Sequence, residues 1–295
     1  MKSLTSKIPD RESLEAYTLI TPLILLLLLF IANPIIMNFY YGFTKWKGFG
    51  EVAMVGFQNY LKMFTDERFW ISLRNIGFLI LYIPLGILLP LFLAAILREG
   101  IRGWSFFKVV LYLPNILGLV VLGTLYKLLF REYGAINQFI FSAFPGDPVK
   151  WLADTKLTIH VVGFLFVVFM PMGFRIIFFL SAMSGISMDH YDAAKIDGAS
   201  WSQTFWFVTV PGVRNGLEFL VVLSFIEVFA RTFGFIYSMT FGGPGFSTFT
   251  LEFGIYQLGF AKFRMGYASA WSSFLAIICG VIAFFQIKIM RSENR

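Results

Sequence analysis

Six stretches of this chain stay apolar for the roughly 20 residues needed to cross the hydrocarbon of a bilayer, which points to an all-α integral membrane fold with six spanning helices. They lie at about 17–41, 71–97, 106–130, 157–183, 213–239 and 267–290. The first holds an unbroken run, 23–31, without one polar side-chain atom. Lys2, Lys7 and Arg11 precede it. It is too long for a signal-peptide core and lacks a convincing cleavage site, so it reads as a retained span. Charged residues make up only 14% of the chain, against about 25% in soluble domains.

Between the fourth and fifth stretches lies a polar island, 185–210. Asp189, Asp192, Lys195 and Asp197 cannot rest in hydrocarbon cheaply, so this segment sits at an aqueous surface. Ser187 suits a helix N-cap, and Asp189 falls in the first turn, where the helix dipole favours a negative charge. Gly198 supplies a left-handed stop. The spacing predicts a helix from Met188 to about Asp197 and a second start near Ser200. Ala193 and Ala194 leave one side of that helix nearly bare, open to close approach by another protein.

The run from Tyr191 to Ala199, with Phe205 and Val210-Pro211 after it, resembles the "EAA" loop of the membrane subunits of ABC importers. Asp192 stands where that family usually has Glu, one methylene longer. Further blocks resemble the sugar branch of the family, related to maltose and glycerol-3-phosphate importers. They are Val55-Gly56-Phe57-Gln58-Asn59-Tyr60, Phe69-Trp70 with Asn75, Leu113-Pro114-Asn115, and Gly242-Gly243-Pro244-Gly245 with Gly266-Tyr267-Ala268-Ser269-Ala270. The resemblance covers about 21–290. It implies a single permease domain of the type I importer fold over the whole chain. Tyr191, Asp192, Ala193, Ala194, Asp197 and Gly198 would then dock an ATPase. The implied partners are a second permease in a heterodimer, two ATPase subunits that hold the ATP and magnesium, an extracytoplasmic solute-binding protein and the lipid itself. The location implied is the bacterial cytoplasmic (inner) membrane, with both termini cytoplasmic.

Lys and Arg divide almost evenly between the two sides of a six-span topology. The density in 98–108 and the basic end with Lys288 and Arg291 favour the same orientation. The net charge of +7 is scattered, with no stripe that would suit nucleic acid. No G-x-x-x-x-G-K-[ST] loop is present, so the chain itself is not expected to bind or hydrolyse ATP. One cysteine, Cys279, and two histidines, His160 and His190, offer neither a metal-ligand set nor a catalytic cluster. No catalytic residue, metal or cofactor is therefore expected on this chain. An ion-coupled secondary transporter would need a repeat and a buried acidic site. Glu227 is a buried acid, but no repeat is found.

Pro84, Pro90, Pro114 and Pro171 each remove a helix hydrogen bond inside a predicted span, as a simple kink or as a break that lines a cavity. Phe225, Val228, Phe229 and Thr232 follow the i, i+3, i+4, i+7 spacing of one helix face. By resemblance, the fifth span and the Pro171 break line the sugar cavity, which selects Met170, Pro171 and Phe174 with Val228, Phe229 and Thr232. Packing explains such a stripe equally well. Glu227 and Arg231 are four apart with the acid first, the order that favours a helical pair. Either they neutralise each other and the substrate is a neutral sugar, or Arg231 turns into the cavity to bind an acidic sugar or a phosphate.

Overall fold

The computed structural model describes residues 11–100, 103–144 and 146–293. Helices dominate. Four of them are long and apolar enough to cross a membrane, namely Tyr17–Gly42, Glu67–Arg98, Leu157–Ser184 and Met265–Phe285. The count rises to six if two bent pairs are each taken as one span, Val109–Ile116 with Leu119–Leu129 and Arg214–Ala230 with Phe233–Met239. Six continuous spans were expected from the apolar stretches, and the third and fifth are the two that break.

At three places in the described chain a helix widens just before a proline. Wider π-helical turns occupy Leu28–Ala32, Phe164–Phe169 and Phe205–Thr209, and Pro34, Pro171 and Pro211 follow each within two residues. A proline has no N–H and its ring crowds the carbonyl four residues back. A wider turn makes room for it. Pro84 costs little, because it sits in the first turn of Ile83–Arg98, where no helical N–H bond is required.

The third stretch does not kink at Pro114. It runs to Ile116, and the next helix leaves at 115° after Leu117 and Gly118. The fifth bends by 52° between Ala230 and Phe233 with no proline present. There the carboxylate of Glu252 accepts hydrogen bonds from the Phe233 N–H at 2.9 Å and from the Thr232 hydroxyl at 3.1 Å. A remote acid thus caps a helix start, the position where a negative charge is stabilised. Glu252 itself lies on a helix, Leu251–Tyr256 continued by Gln257–Ala261, between the fifth and sixth predicted spans. A two-strand ribbon, Thr44–Lys45 against Ala53–Met54, is a small departure from an all-α chain.

The core lies among the second, fourth, fifth and sixth spans, with Leu91, Val168, Phe179, Leu220 and Trp271 fully enclosed. The first span stands apart, since its most apolar stretch is not buried against any other part of the chain.

Candidate functional site

Two places merit the term: the exposed helix after the fourth span, and a cavity at the breaks. The first is built from local sequence. The Ser187 hydroxyl accepts from the Asp189 N–H at 3.3 Å and starts the helix Met188–Ile196. Gly198 ends it at φ +73°, a conformation that costs an L side chain about 1–2 kcal/mol. Ser200 and Gln203 then form a reciprocal capping box that starts Trp201–Thr204.

Tyr191 does not face outward with the rest of the predicted docking set. It is buried, its hydroxyl lies 3.2 Å from that of Thr209, and the Arg98 guanidinium stacks 3.8 Å above its ring. Tyr191 therefore anchors the loop to the end of the second span. Asp192, Ala193, Asp197 and Gly198 are exposed and Ala194 is half-buried. Ile196 is 86% exposed, a large apolar side chain left standing in water. The contact between Asp192 and Lys195, 3.8 Å long and exposed at both ends, contributes little. A cavity of about 410 Å³ opens behind the helix, lined by Arg98, Met183, Tyr191, Trp201 and Phe205 among others. Sequence reasoning missed Arg98 as the partner of Tyr191, because nothing local links them.

The second place is a cavity of about 390 Å³. Asn115 and Gly118 reach it from the third stretch, Phe166, Met170 and Pro171 from the fourth span, and Glu227 and Arg231 from the fifth. Of the predicted pathway residues, the structure brings Met170, Pro171 and Arg231 together here. It places four elsewhere. Val228 is in the core, Thr232 is turned inward to bond Thr250 at 3.1 Å, Phe229 packs against the core, and Phe174 lies beside Phe178. The stripe presupposed an unbroken helix, and the bend after Ala230 takes Thr232 out of it.

Glu227 and Arg231 do pair, at 3.7 Å, but that pair is incomplete as an account of the charges. The other carboxylate oxygen of Glu227 lies 3.4 Å from Arg175, an arginine only 2% exposed. A buried guanidinium must have its N–H groups satisfied or cost several kcal/mol. Arg175 donates to the carbonyls of Gly86 at 2.7 Å and Val167 at 2.8 Å, and to the Ser224 hydroxyl at 2.8 Å. Those two carbonyls are not arbitrary. Each lies four residues before a proline, Pro90 and Pro171, so each has lost its helical N–H donor. One side chain thus satisfies both proline breaks and ties the second, fourth and fifth spans together. Gly86 permits it, because a Cβ there would lie 2.5 Å from the Val167 oxygen and 2.7 Å from the guanidinium. Asn115 adds a tie from the third stretch by donating to the Met170 carbonyl at 3.0 Å.

No protein-family model matches the chain. It is 30% identical to a probable ABC transporter permease of Pyrococcus horikoshii, over 88% of this chain and 90% of that one. It is 31% identical to the permease protein of a multiple sugar-binding transport system of Streptococcus mutans, over 92% and 93% of the two chains. A crystal structure of a bacterial alginate ABC transporter, in complex with its alginate pentasaccharide-bound periplasmic protein, superposes with a TM-score of 0.81 at 22% identity over 96% of each chain. That likeness gives the fold.

Proposed function

We propose that this chain, which belongs to the permease subunits of ABC transporters, forms one half of the pathway of an ATP-driven sugar importer. The observation that carries the sugar assignment is the near full-length similarity to a sugar permease. The bent pairs at 109–129 and 214–239 each count as one span in this reading, which makes six and puts both termini on the cytoplasmic face of the cytoplasmic membrane. The exposed helix Met188–Ile196 meets an ATPase, with Asp192, Ala193, Ala194, Asp197 and Gly198 at the contact. A second permease completes the pathway. Two ATPase subunits bind the ATP and magnesium, and an extracytoplasmic binding protein delivers the sugar. ATP binding draws the docking helices together and turns the cavity outward.

The test is ATP-driven sugar uptake by the assembled complex in vesicles. Ala194→Trp places a large ring on the docking face outside the spans, so insertion should survive while uptake and transport-coupled ATP hydrolysis are lost. Undiminished coupled hydrolysis in that variant sinks the docking assignment. The first reading of the substrate is a neutral sugar. A second, an acidic sugar or a sugar phosphate, is favoured by one observation: Arg231 is 63% exposed and, among the described residues, shares its one ion-pair partner, Glu227, with Arg175. Arg231→Gln separates the two. Weakened assembly partly restored by adding Glu227→Gln supports the neutral sugar, and an intact complex that loses uptake without rescue supports the anion.

A further inference from the structure

A third cavity, about 710 Å³, lies where the first and sixth spans end, and neither the docking helix nor the pathway uses it. Five cations surround it: Lys45, Lys47, Lys62, Lys262 and Arg264. They come from three separate stretches, the ribbon after Gly42, the short helix Gln58–Thr65 and the turn before Met265. None of them is in an ion pair among the described residues. Asp66, whose charge reaches Lys262, is already held by Arg68 at 3.0 Å and by the Tyr267 hydroxyl at 3.1 Å. Partial burial first, and then the charges of Arg68 and Arg264, push the Lys262 ammonium below its ordinary range, against the opposing charge of Asp66.

The rim is preformed. Asn59 donates to the carbonyls of Gly42 and Thr44 at 2.9 and 2.8 Å, and the Gly266 N–H donates to the Trp46 carbonyl at 3.1 Å. The ends of both spans are thus stitched together without help from a ligand. Phe49 and Phe263, both exposed with ring centroids 6.0 Å apart, stand beside the cations. Four of the five cations lie within a few residues of Gly42 or Met265, so they sit at the depth where hydrocarbon gives way to headgroups. Lysines that merely snorkel reach out along one helix; these converge on one cavity from three sides. In the proposed orientation this rim is the outer one, where the charge bias of membrane insertion disfavours Lys and Arg.

We propose that this cavity holds the phosphate of an anionic phospholipid, with its acyl chains against the aromatic rim and the unburied first span. The inference rests on the membrane reading of those two spans. The experiment uses the assembled transporter in nanodiscs of phosphatidylglycerol mixed with phosphatidylcholine, with co-purifying lipid measured by native mass spectrometry. The expected result is enrichment of phosphatidylglycerol that falls by about tenfold or more in the Lys45→Gln, Lys47→Gln, Lys262→Gln, Arg264→Gln variant. Equal retention of both lipids, or undiminished enrichment in the variant, overturns the site. Displacement by inorganic phosphate with no lipid preference assigns it to a soluble anion and overturns the lipid. Unchanged lipid with lost capture of the binding protein assigns it to protein docking and overturns it as well. Insertion and assembly, read on the same samples, report on the membrane reading separately from the headgroup preference.

Discussion

The exposed loop at 187–204 and the junction around Arg175 face the same problem, backbone groups left over where helices stop or break, and solve it in opposite ways. In the loop every solution is local. Ser187 serves Asp189, Gly198 turns the chain, and Ser200 and Gln203 cap each other three residues apart. At the junction the partners lie beyond the reach of one helical turn, and most lie far along the chain. The Gly86 carbonyl is served by Arg175, 89 residues on, and the Phe233 N–H by Glu252, 19 residues on. Water explains the difference. In an aqueous loop an unserved carbonyl finds solvent, so a short-range device is enough. Inside a membrane no solvent waits, so a side chain must supply the donor, from another span for Gly86 and from eight residues along the same span for Val167. Local devices hold one element, whereas remote ones hold several spans in a fixed relation.

The largest expected effect tests the remote half. Arg175→Leu leaves two carbonyls unserved and a partly buried Glu227 with only Arg231. Removing one partner of a buried ion pair costs about 3–5 kcal/mol, and the unserved carbonyls add to that. The outcome is loss of folded, assembled complex, measured as yield and thermal midpoint in detergent. The comparison is sharpened by adding Pro90→Ala, Pro171→Ala and Glu227→Gln. Each alanine returns an N–H to its carbonyl, and the glutamine removes the orphan charge. Partial recovery of the complex is expected. If the prolines can be replaced without any benefit in the Arg175→Leu background, the guanidinium is not there to serve the breaks.

The same division decides how much of the molecule was legible in its sequence. The four unbroken spans were readable from apolar length alone, and the helix Met188–Ile196 from a cap, a dipole charge and a stop within a dozen residues. The breaks were not. Pro114 drew attention to the third stretch, yet the turn falls at Leu117 and Gly118, beyond the proline. The fifth bends where Glu252 caps Phe233, and Glu252 lies between the fifth and sixth predicted spans with no sequence signal that ties it to Phe233. The pair of Glu227 and Arg231 was found by its four-residue spacing, and the same spacing concealed Arg175, which lies 52 residues earlier. One signal was present. An arginine stands alone among apolar residues one turn after Pro171, and such a charge needs partners from other spans. The predicted stripe assumed a straight helix through 231–232, and the bend there separates Thr232 from Phe225, Val228 and Phe229.

A smaller effect tests the local half. Gly198→Ala puts a Cβ where φ is +73° but where nothing lies within 4 Å. The cost is the backbone conformation alone, about 1–2 kcal/mol, and it falls on the end of one exposed helix. Assembly and thermal midpoint should stay near wild type while coupled ATP hydrolysis falls. A collapse of assembly comparable with that of Arg175→Leu would mean that the end of the helix at Gly198 is not set by a local device alone.

The smallest effect is a charge-dependent version of the same local device. Asp154 lies before the fourth span, and its carboxylate accepts from the Leu157 and Lys156 N–H groups at 2.8 and 2.7 Å. Those two bonds, Leu157 first, hold its carboxyl below the ordinary 3.8, with the Lys156 charge assisting. A depressed folded value means that the cap is fully present above the unfolded value near 3.9 and is lost as pH falls through the folded one. Amide exchange at Lys156 and Leu157, corrected for intrinsic rates, should therefore lose protection only below about pH 4. Asp154→Asn keeps an acceptor oxygen but cannot titrate, so its protection should be flat over the same range. Because the group is fully exposed, global unfolding of the complex should not move with it. A wild-type profile as flat as that of Asp154→Asn would show that the charge is irrelevant, and that a local device at the water boundary works by hydrogen-bond geometry alone.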